Sequence, residues 1–149
     1  MPNAQNKRGR SRKAPPFVML PWYLIDSAAW RSLSFAAQSA FIQMVRLYKG
    51  WNNGQLVLAA SALAERLDCS KATAARALND LEEKGFVGIQ KMGMFRRRDR
   101  LATEYFLTHY PNDATGELPT KAFMRWRPQQ SQKHMNPVAL VRRKIENRL

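Results

Sequence analysis

The segment that most constrains the fold lies between Leu63 and Lys91, where two helix patterns and a strand pattern follow one another closely. The first pattern is short and apolar and ends at Leu67. The second helix begins at Ser70, whose hydroxyl can cap the first free N–H groups, and ends before Gly85, which can adopt a left-handed conformation. Two helices joined by a short turn and followed at once by a strand predict a helix-turn-helix that runs into a β-hairpin. The predicted fold class is therefore α+β.

The second helix, predicted over Ser70–Lys84, has an apolar side and a polar side. The helical period predicts a buried stripe made of Ala74, Ala77, Leu78 and Leu81. The opposite side carries Lys71, Ala72, Thr73, Ala75, Arg76 and Asn79. Small side chains let a helix approach base edges, and Arg76, Lys71 and Asn79 have the donors that recognise guanine and adenine in the major groove. This face is predicted to contact double-stranded DNA.

The charge of the chain supports a polyanionic partner. Its 149 residues contain 25 Lys and Arg but 11 Asp and Glu, which gives a net charge of +14. The excess is concentrated in residues 1–16, 91–100 and 121–149, whereas the rest of the chain is slightly acidic. The positive charge therefore belongs to two tails and one hairpin tip.

The hairpin tip and the N-terminal tail have alternative interpretations. The basic residues of the tip are Lys91, Arg96, Arg97, Arg98 and Arg100. They would reach phosphates or an adjacent minor groove, and the alternative is a solvated run of charge. The basic residues of the tail are Lys7, Arg8, Arg10, Arg12 and Lys13. Arg8-Gly9-Arg10 looks like the core of an AT-hook without its flanking prolines, which predicts minor-groove binding, non-specific phosphate contact or a solubilising role.

Three regions are predicted along the chain. Residues 1–16 form a disordered basic tail, residues 17–128 form the domain, and residues 129–149 form a basic linker with a possible amphipathic helix. That last helix would need DNA, a second subunit or another protein as its partner. Within the domain, the first part is predicted to contain an extended segment at 17–25, a capped turn at 26–30 and a helix at 35–48. A turn at 51–54, a strand at 55–58 and a helix at 60–67 follow. Beyond the second helix we predict hairpin strands at 86–90 and 101–108, a loop at 111–119, and docking of Phe123 and Trp126 on the domain.

The residues from Leu63-Ala64 through Ser70-Lys71-x-Thr73-x-x-Arg76 to Leu81-Glu82-x-Lys84-Gly85 resemble the winged helix-turn-helix of MarR-like and GntR-like bacterial regulators. The wider arrangement is similar to winged-helix proteins of plasmids and prophages, some of them related to replication initiators. The resemblance implies a three-helix core with a small antiparallel sheet and a wing. It also implies DNA contact by Ser70, Lys71, Thr73 and Arg76 and by the wing arginines. Ala74 stands where a larger aliphatic residue is usual.

Enzymatic functions fit the sequence poorly. Gly88 to Gly93 has the glycine spacing of a phosphate loop, but Met94 and Phe95 stand where Lys and Ser or Thr are needed. One cysteine and two separated histidines make a zinc site or a Cys-His nucleophile difficult to build. Cys69 is interpreted as a turn residue, with a redox-sensing thiol as the alternative. We expect no enzyme activity, no cofactor and no metal.

The sequence therefore predicts a sequence-specific DNA-binding protein, a transcription regulator of a bacterial mobile element. The first alternative is a plasmid or phage replication or partition factor that binds an origin, and the second is a nucleoid-type or RNA-binding protein that uses charge alone. A homodimer is possible, because a lone winged helix contacts only a few base pairs. No apolar run approaches the roughly 18 residues of a membrane span, and we expect a cytoplasmic, nucleoid-associated location in a bacterium.

Overall fold

The computed structural model describes residues 14–95 and 100–128, and within them the chain is a mixed α+β structure. The helices are α1 (Trp22–Ile25), α2 (Ala28–Ser32), α3 (Phe35–Leu47), α4 (Ala60–Leu67), α5 (Lys71–Glu83) and a 3₁₀ helix (Ala122–Arg125). The strands are β1 (Leu56–Val57), β2 (Val87–Lys91), β3 (Met94–Phe95), β4 (Arg100–Leu101) and β5 (Glu104–Leu107). Residues 1–13 of the predicted tail and the segment 129–149 lie outside the described residues.

The prediction for residues 17–25 is wrong in its second half. Pro21 has an extended backbone, but α1 begins directly after it, and the Pro21 carbonyl accepts from the N–H groups of Leu24 and Ile25 at 3.1 and 3.3 Å. A proline ring blocks the interior of a helix but suits its start, where the missing N–H would have no intrahelical partner. Leu24 is buried, so this turn joins the core.

Hydroxyl caps begin three of the described helices, and the cap at Ser70 is as predicted. Ser27, Ser34 and Ser70 each accept from the backbone N–H three residues later, at 3.1 Å in all three cases. Each such cap satisfies one of the free donors at a helix start and contributes about 1 kcal/mol. The predicted turn at residues 26–30 therefore extends into α2, whose cap is Ser27.

The end of α5 is also as predicted. Gly85 has φ +82°, and its N–H and that of Phe86 donate to Glu82 O and Leu81 O at 3.1 and 2.9 Å. This pair of bonds is a Schellman motif, which closes a helix with a left-handed residue. A Cβ atom at Gly85 would lie 2.8 Å from the backbone of Ala122, so the 3₁₀ helix also requires glycine here.

The main sheet has the antiparallel order β1-β5-β2, in which the predicted short strand near residue 56 pairs with β5 of the later hairpin. The prediction of one strand over residues 101–108 is wrong, because the pairing shifts between Ile89 and Lys91 and resumes beyond Gly93 as a separate two-stranded sheet. The Gln90 side chain at this bulge accepts from Asn112 Nδ2 at 2.8 Å. We call the two-stranded sheet, β3 with β4, the ribbon.

The core lies between the helices and the inner face of the sheet, around Phe86. Its ring contacts Trp30 and Phe41 edge-to-face at centroid distances of 5.9 and 5.4 Å, and stacks on Phe123 at 4.9 Å. The stripe Ala74, Ala77, Leu78 and Leu81 of α5 is buried, as predicted. Docking of Phe123 is confirmed, and Trp126 packs partly buried beside the core.

Lys84 joins three parts of the structure. Its ammonium group lies 2.9 Å from Asp80 Oδ1, donates to Ser32 O at 2.8 Å, and lies 5.4 Å from the ring centroid of Trp126. The bond to Ser32 satisfies a carbonyl at the end of α2.

Among the described residues, no helix is both long enough and apolar enough to span a bilayer.

Candidate nucleic-acid interface

The first turns of α5 carry a line of hydrogen bonds on the protein surface. Ser70 Oγ caps the helix and lies 2.9 Å from Thr73 Oγ1. Thr73 Oγ1 in turn accepts from a terminal nitrogen of Arg76 at 3.3 Å. The three side chains are spaced by threes, which places neighbours on adjacent turns. This contact engages one of the five N–H donors of Arg76 and orients the guanidinium. The Arg76 side chain is exposed, so its other N–H donors can bind a partner.

Of the six residues predicted on this helix, five lie at its cap or on its first two turns, and Asn79 lies on the third turn. Ser70, Lys71, Ala72, Arg76 and Asn79 are exposed, and Thr73 is half-buried. The structure therefore brings the predicted group together on one accessible part of α5. Between the long side chains of this surface lie Ala72 and Ala75, whose small side chains leave the helix backbone accessible to a close approach.

The charge of α5 is divided along its length. The first turn has no acidic residue, and Lys71 and Arg76 lie in the N-terminal half, whereas Asp80, Glu82 and Glu83 lie near the C-terminus. This order opposes the helix dipole, since cations are favoured at the C-terminal end and anions at the N-terminal end. A helix arranged for stability alone would have the reverse order, so the N-terminal half of α5 is suited to an anionic partner.

A groove of about 320 Å³ separates α5 from the ribbon. Its walls are mainly apolar, with Asn79 on the helix side and Thr103 on the ribbon side as polar groups. Tyr105 also lines it, and burial raises the pKa of its hydroxyl, with the carboxylate of Glu82 adding to the shift. Tyr105 is therefore a neutral hydrogen-bonding group at physiological pH.

A second groove of about 460 Å³ runs between the start of α3 and α5. Ser34 and Ala36 line it opposite Thr73, Arg76 and Asn79. Ser34 and Ala36 are not among the predicted site residues, because their position beside α5 depends on the packing of two helices far apart in sequence. The hydroxyl of Ser34 could have drawn attention only as a helix cap.

The predicted basic residues of the hairpin are only partly described. Lys91 ends β2 with an exposed side chain and is paired in register with Glu104. Arg100 begins β4, whereas Arg96, Arg97 and Arg98 lie outside the described residues. The basic residues of the tail, Lys7, Arg8, Arg10, Arg12 and Lys13, also lie outside them.

Cys69 lies in the turn between α4 and α5, half-buried, and its N–H donates to Ala64 O at 3.0 Å. The neighbouring Asp68 has φ +50° and makes the left-handed reversal. This placement agrees with the interpretation of Cys69 as a turn residue. In residues 14–95 and 100–128, His, Cys, Asp and Glu form no group of three that could hold a metal ion.

His109 is a buried titratable group next to the core. Its ring lies 5.6 Å from the Phe41 ring and 4.1 Å from the Tyr110 ring, and neither ring nitrogen has a hydrogen-bond partner among the described residues. Burial lowers the pKa of His109 to about 4, and the charge of Lys121 contributes in the same direction. The folded protein therefore holds this imidazole neutral.

We expect the stability to fall on acidification because of His109. In the unfolded chain the imidazole gains a proton below about pH 6.5, whereas the folded state resists it down to about pH 4. The contribution of neutral His109 to the free energy of unfolding is thus fully present above pH 6.5. It declines by about 3 kcal/mol in total as the pH falls from 6.5 to about 4. Urea unfolding near neutral pH and near pH 5 measures the change. Between these two pH values, the free energy of unfolding of His109→Phe should fall by about 2 kcal/mol less than that of the wild type. An equal fall in both proteins would show that His109 is not the cause of the acid sensitivity.

Comparison of the chain with models of protein families, with curated proteins and with solved structures finds no match. The geometry of α5, the ribbon and the distribution of charge are therefore the observations that bear on function.

Proposed function

We propose that residues 17–128 form a winged helix-turn-helix domain that binds double-stranded DNA, with α4 and α5 as the two helices and the ribbon as part of the wing. The observation that carries the proposal is the hydrogen-bonded line Ser70–Thr73–Arg76 on the exposed N-terminal half of α5. It orients an arginine at a helix surface that lacks acidic residues in its first turn. A bidentate arginine at guanine is the commonest specific contact in the major groove.

In this proposal α5 lies in the major groove, which is wide enough for one helix. Arg76, Lys71 and Asn79 contact base edges, and Ala72 allows close approach to the floor of the groove. Ser70 and Thr73 hold Arg76 in position and have hydroxyl groups within reach of the DNA backbone. The α5 surface therefore supplies discrimination between sequences.

Most of the affinity for DNA comes from the basic segments that precede and follow α5 in the chain. The residues of the chain from 91 to 100 carry five basic side chains and one acidic one, and residues 1–16 carry five basic and no acidic ones. Each phosphate neutralised by these side chains releases condensed counterions, so the binding constant falls steeply with salt concentration. A dimer would double the length of the site, since one such domain contacts only a few base pairs.

The biological role we propose is transcription regulation in a bacterial mobile element. It rests on the resemblance of the stretch from Leu63 to Gly85 to winged-helix regulators. The affinity and the specificity both serve such a role, because a regulator must find one operator among many competing sites.

Selection of bound duplexes from a random DNA pool tests the proposed function. We expect one enriched motif of a few base pairs, and two inverted copies about one helical turn apart if the protein binds as a dimer. Binding to the enriched duplex should weaken by orders of magnitude between low and physiological salt. Recovery of unenriched sequences would overturn sequence-specific binding and leave only attraction by charge.

A further inference from the structure

An apolar strip lies on the surface near the start of the described chain. Its members are exposed side chains of residues 17–25, namely Phe17, Met19, Trp22, Tyr23 and Ile25. Before α1 the exposure alternates, since Val18 and Leu20 pack against the core whereas Phe17 and Met19 do not. On α1 itself, Trp22 and Ile25 are three residues apart and therefore share one side of the turn. These five side chains form the surface that we call the apolar strip.

The apolar strip lies apart from the face of α5 that we propose for DNA. Phe17 lines a groove with Tyr48 at the end of α3. Tyr23 stacks on Phe123 with ring centroids 6.3 Å apart, and the Phe123 N–H donates to Gly85 O, just after α5. The residues predicted to contact DNA lie instead at the start of α5, beside the start of α3. A partner on the apolar strip therefore leaves the proposed DNA-binding face free.

The apolar strip does not serve the fold of the single chain. None of its residues belongs to the buried core or to the half-buried side chains packed against it. Trp22 is 84% exposed, Phe17 is 77% exposed and Met19 is 55% exposed. A large aromatic side chain has roughly 150–250 Å² of surface, so the whole strip leaves about 600 Å² in water. This area is most of the roughly 800 Å² that each partner buries in a standard interface between proteins.

The absence of charge from this part of the sequence identifies the partner. Residues 14–25 contain no charged side chain, although the chain has a net charge of +14. An acidic or a basic partner would be held by opposite charges, which the apolar strip does not carry. Two copies of this chain repel one another through their basic surfaces, and an uncharged face is where they can approach. A second copy supplies an apolar surface of the same size, and a two-fold axis places two identical surfaces face to face.

We propose that two copies of the protein associate by packing their apolar strips together about a two-fold axis, with the two Trp22 side chains buried between them. Tryptophan is enriched among the residues that dominate the binding energy of interfaces, which suits the most exposed member of the strip to this position. The association needs no DNA, so it goes beyond the proposed function and is tested apart from it. Each copy in such a pair keeps the start of its α5 accessible.

Sedimentation velocity of the full-length protein without DNA, over a dilution series, tests the association. We expect a wild-type dimer with a dissociation constant in the micromolar range or tighter. The double variant Met19→Ser with Trp22→Ser should dimerise about 100-fold more weakly. Both side chains are exposed, so an unchanged melting temperature should show that the variant folds. The matched control is Trp51→Ser with Leu118→Ser, at positions 66% and 82% exposed outside the strip, and it should dimerise like the wild type.

Two further measurements locate the interface and define its chemistry. Hydrogen exchange of the amides in residues 17–25 should be slower above the dissociation constant than below it, because these residues leave the solvent in the dimer. The dimer should become tighter as salt rises, since salt screens the repulsion between two basic chains. Binding to DNA changes with salt in the opposite direction.

Four results would overturn the proposal. One is a wild type that stays monomeric up to about 100 μM, a concentration well above the dissociation constants of interfaces of this size. Another is a dimer that the double variant retains, or that forms without slower exchange in residues 17–25. A monomer in which residues 17–25 are already protected would show that another part of the same chain, such as residues 137–149, covers the strip. A monomer that binds vesicles of anionic phospholipid through Trp22 would assign the strip to a membrane surface. Each of these results leaves the proposed DNA binding standing, and a failure to bind DNA leaves the dimer standing.

Discussion

Replacing Asn53 with alanine is expected to lower the free energy of unfolding by about 3–4 kcal/mol, the largest effect of any single substitution considered for this protein. The Asn53 side chain is fully buried. Its Nδ2 donates to Leu107 O at 2.9 Å and to Pro111 O at 2.8 Å, and its Oδ1 accepts from Leu107 N–H at 2.7 Å. Alanine leaves these backbone groups buried without partners, and each orphaned group costs about 1–3 kcal/mol.

The backbone of Asn53 strengthens the same junction. Its N–H donates to Asp113 Oδ2 at 2.8 Å, and its carbonyl accepts from Ala114 N–H at 3.1 Å. The turn before β1 is thereby attached both to the end of β5 and to the loop that follows it. The loss of the Asn53 side chain should loosen the whole edge of the sheet.

Urea unfolding followed by circular dichroism measures the effect, with Gln55→Ala as the control. Gln55 is an exposed residue of the same turn, and its substitution should change the stability by less than about 0.5 kcal/mol. Asn53→Asp provides the sharper comparison. It keeps the size of the side chain but replaces the amide donor with an acceptor that faces two carbonyls, so we expect it to be as damaging as alanine. A well-tolerated aspartate would show that shape and not hydrogen bonding governs this site.

Arg76→Ala is expected to have the largest effect on function. The affinity for the selected duplex should fall by about 10- to 100-fold, whereas the affinity for random duplex should change only slightly. The reason is that a bidentate contact at a base edge contributes only when the right base is present, while a phosphate contact contributes on any sequence. Electrophoretic mobility shift or fluorescence anisotropy at fixed salt measures both constants.

Arg46→Ala is the matched control for the loss of charge. Arg46 is an exposed arginine on α3 that lies outside the proposed base-contacting face of α5. Its substitution should reduce both affinities equally and slightly, through charge alone. If Arg76→Ala behaves like Arg46→Ala, α5 does not discriminate between sequences, and the placement of this helix in the major groove is wrong.

The helices were predictable because their signals are local. The cap at Ser70, the buried stripe of α5 and the left-handed stop at Gly85 each depend on residues of one helix and its immediate ends. The same holds for the candidate site on α5, whose residues share one short stretch of helix. The prediction of an extended segment over 17–25 fails for a local reason too, because a proline that disfavours the interior of a helix is well suited to its start.

Other features depend on contacts between distant residues. The sequence predicted a turn at Asn53, but the partner groups of its side chain lie near residues 107 and 111. The hairpin was predicted, but the bulge at Gln90 that divides it involves Asn112. No period or spacing near either residue indicates these partners, because a side-chain hydrogen bond leaves no repeating pattern in the sequence.

The sequence by itself thus determined the order of the elements from α3 to β2, the apolar stripe of α5 and the separation of its charges, since each follows from propensity and periodicity along the chain. Only the tertiary structure decided how far the ribbon lies from α5 and that Met94 and Leu101 stay outside the core. The pairing shifts register between Ile89 and Lys91, where the Gln90 side chain accepts from Asn112 Nδ2, and a contact between residues this far apart leaves no periodic signal in the sequence.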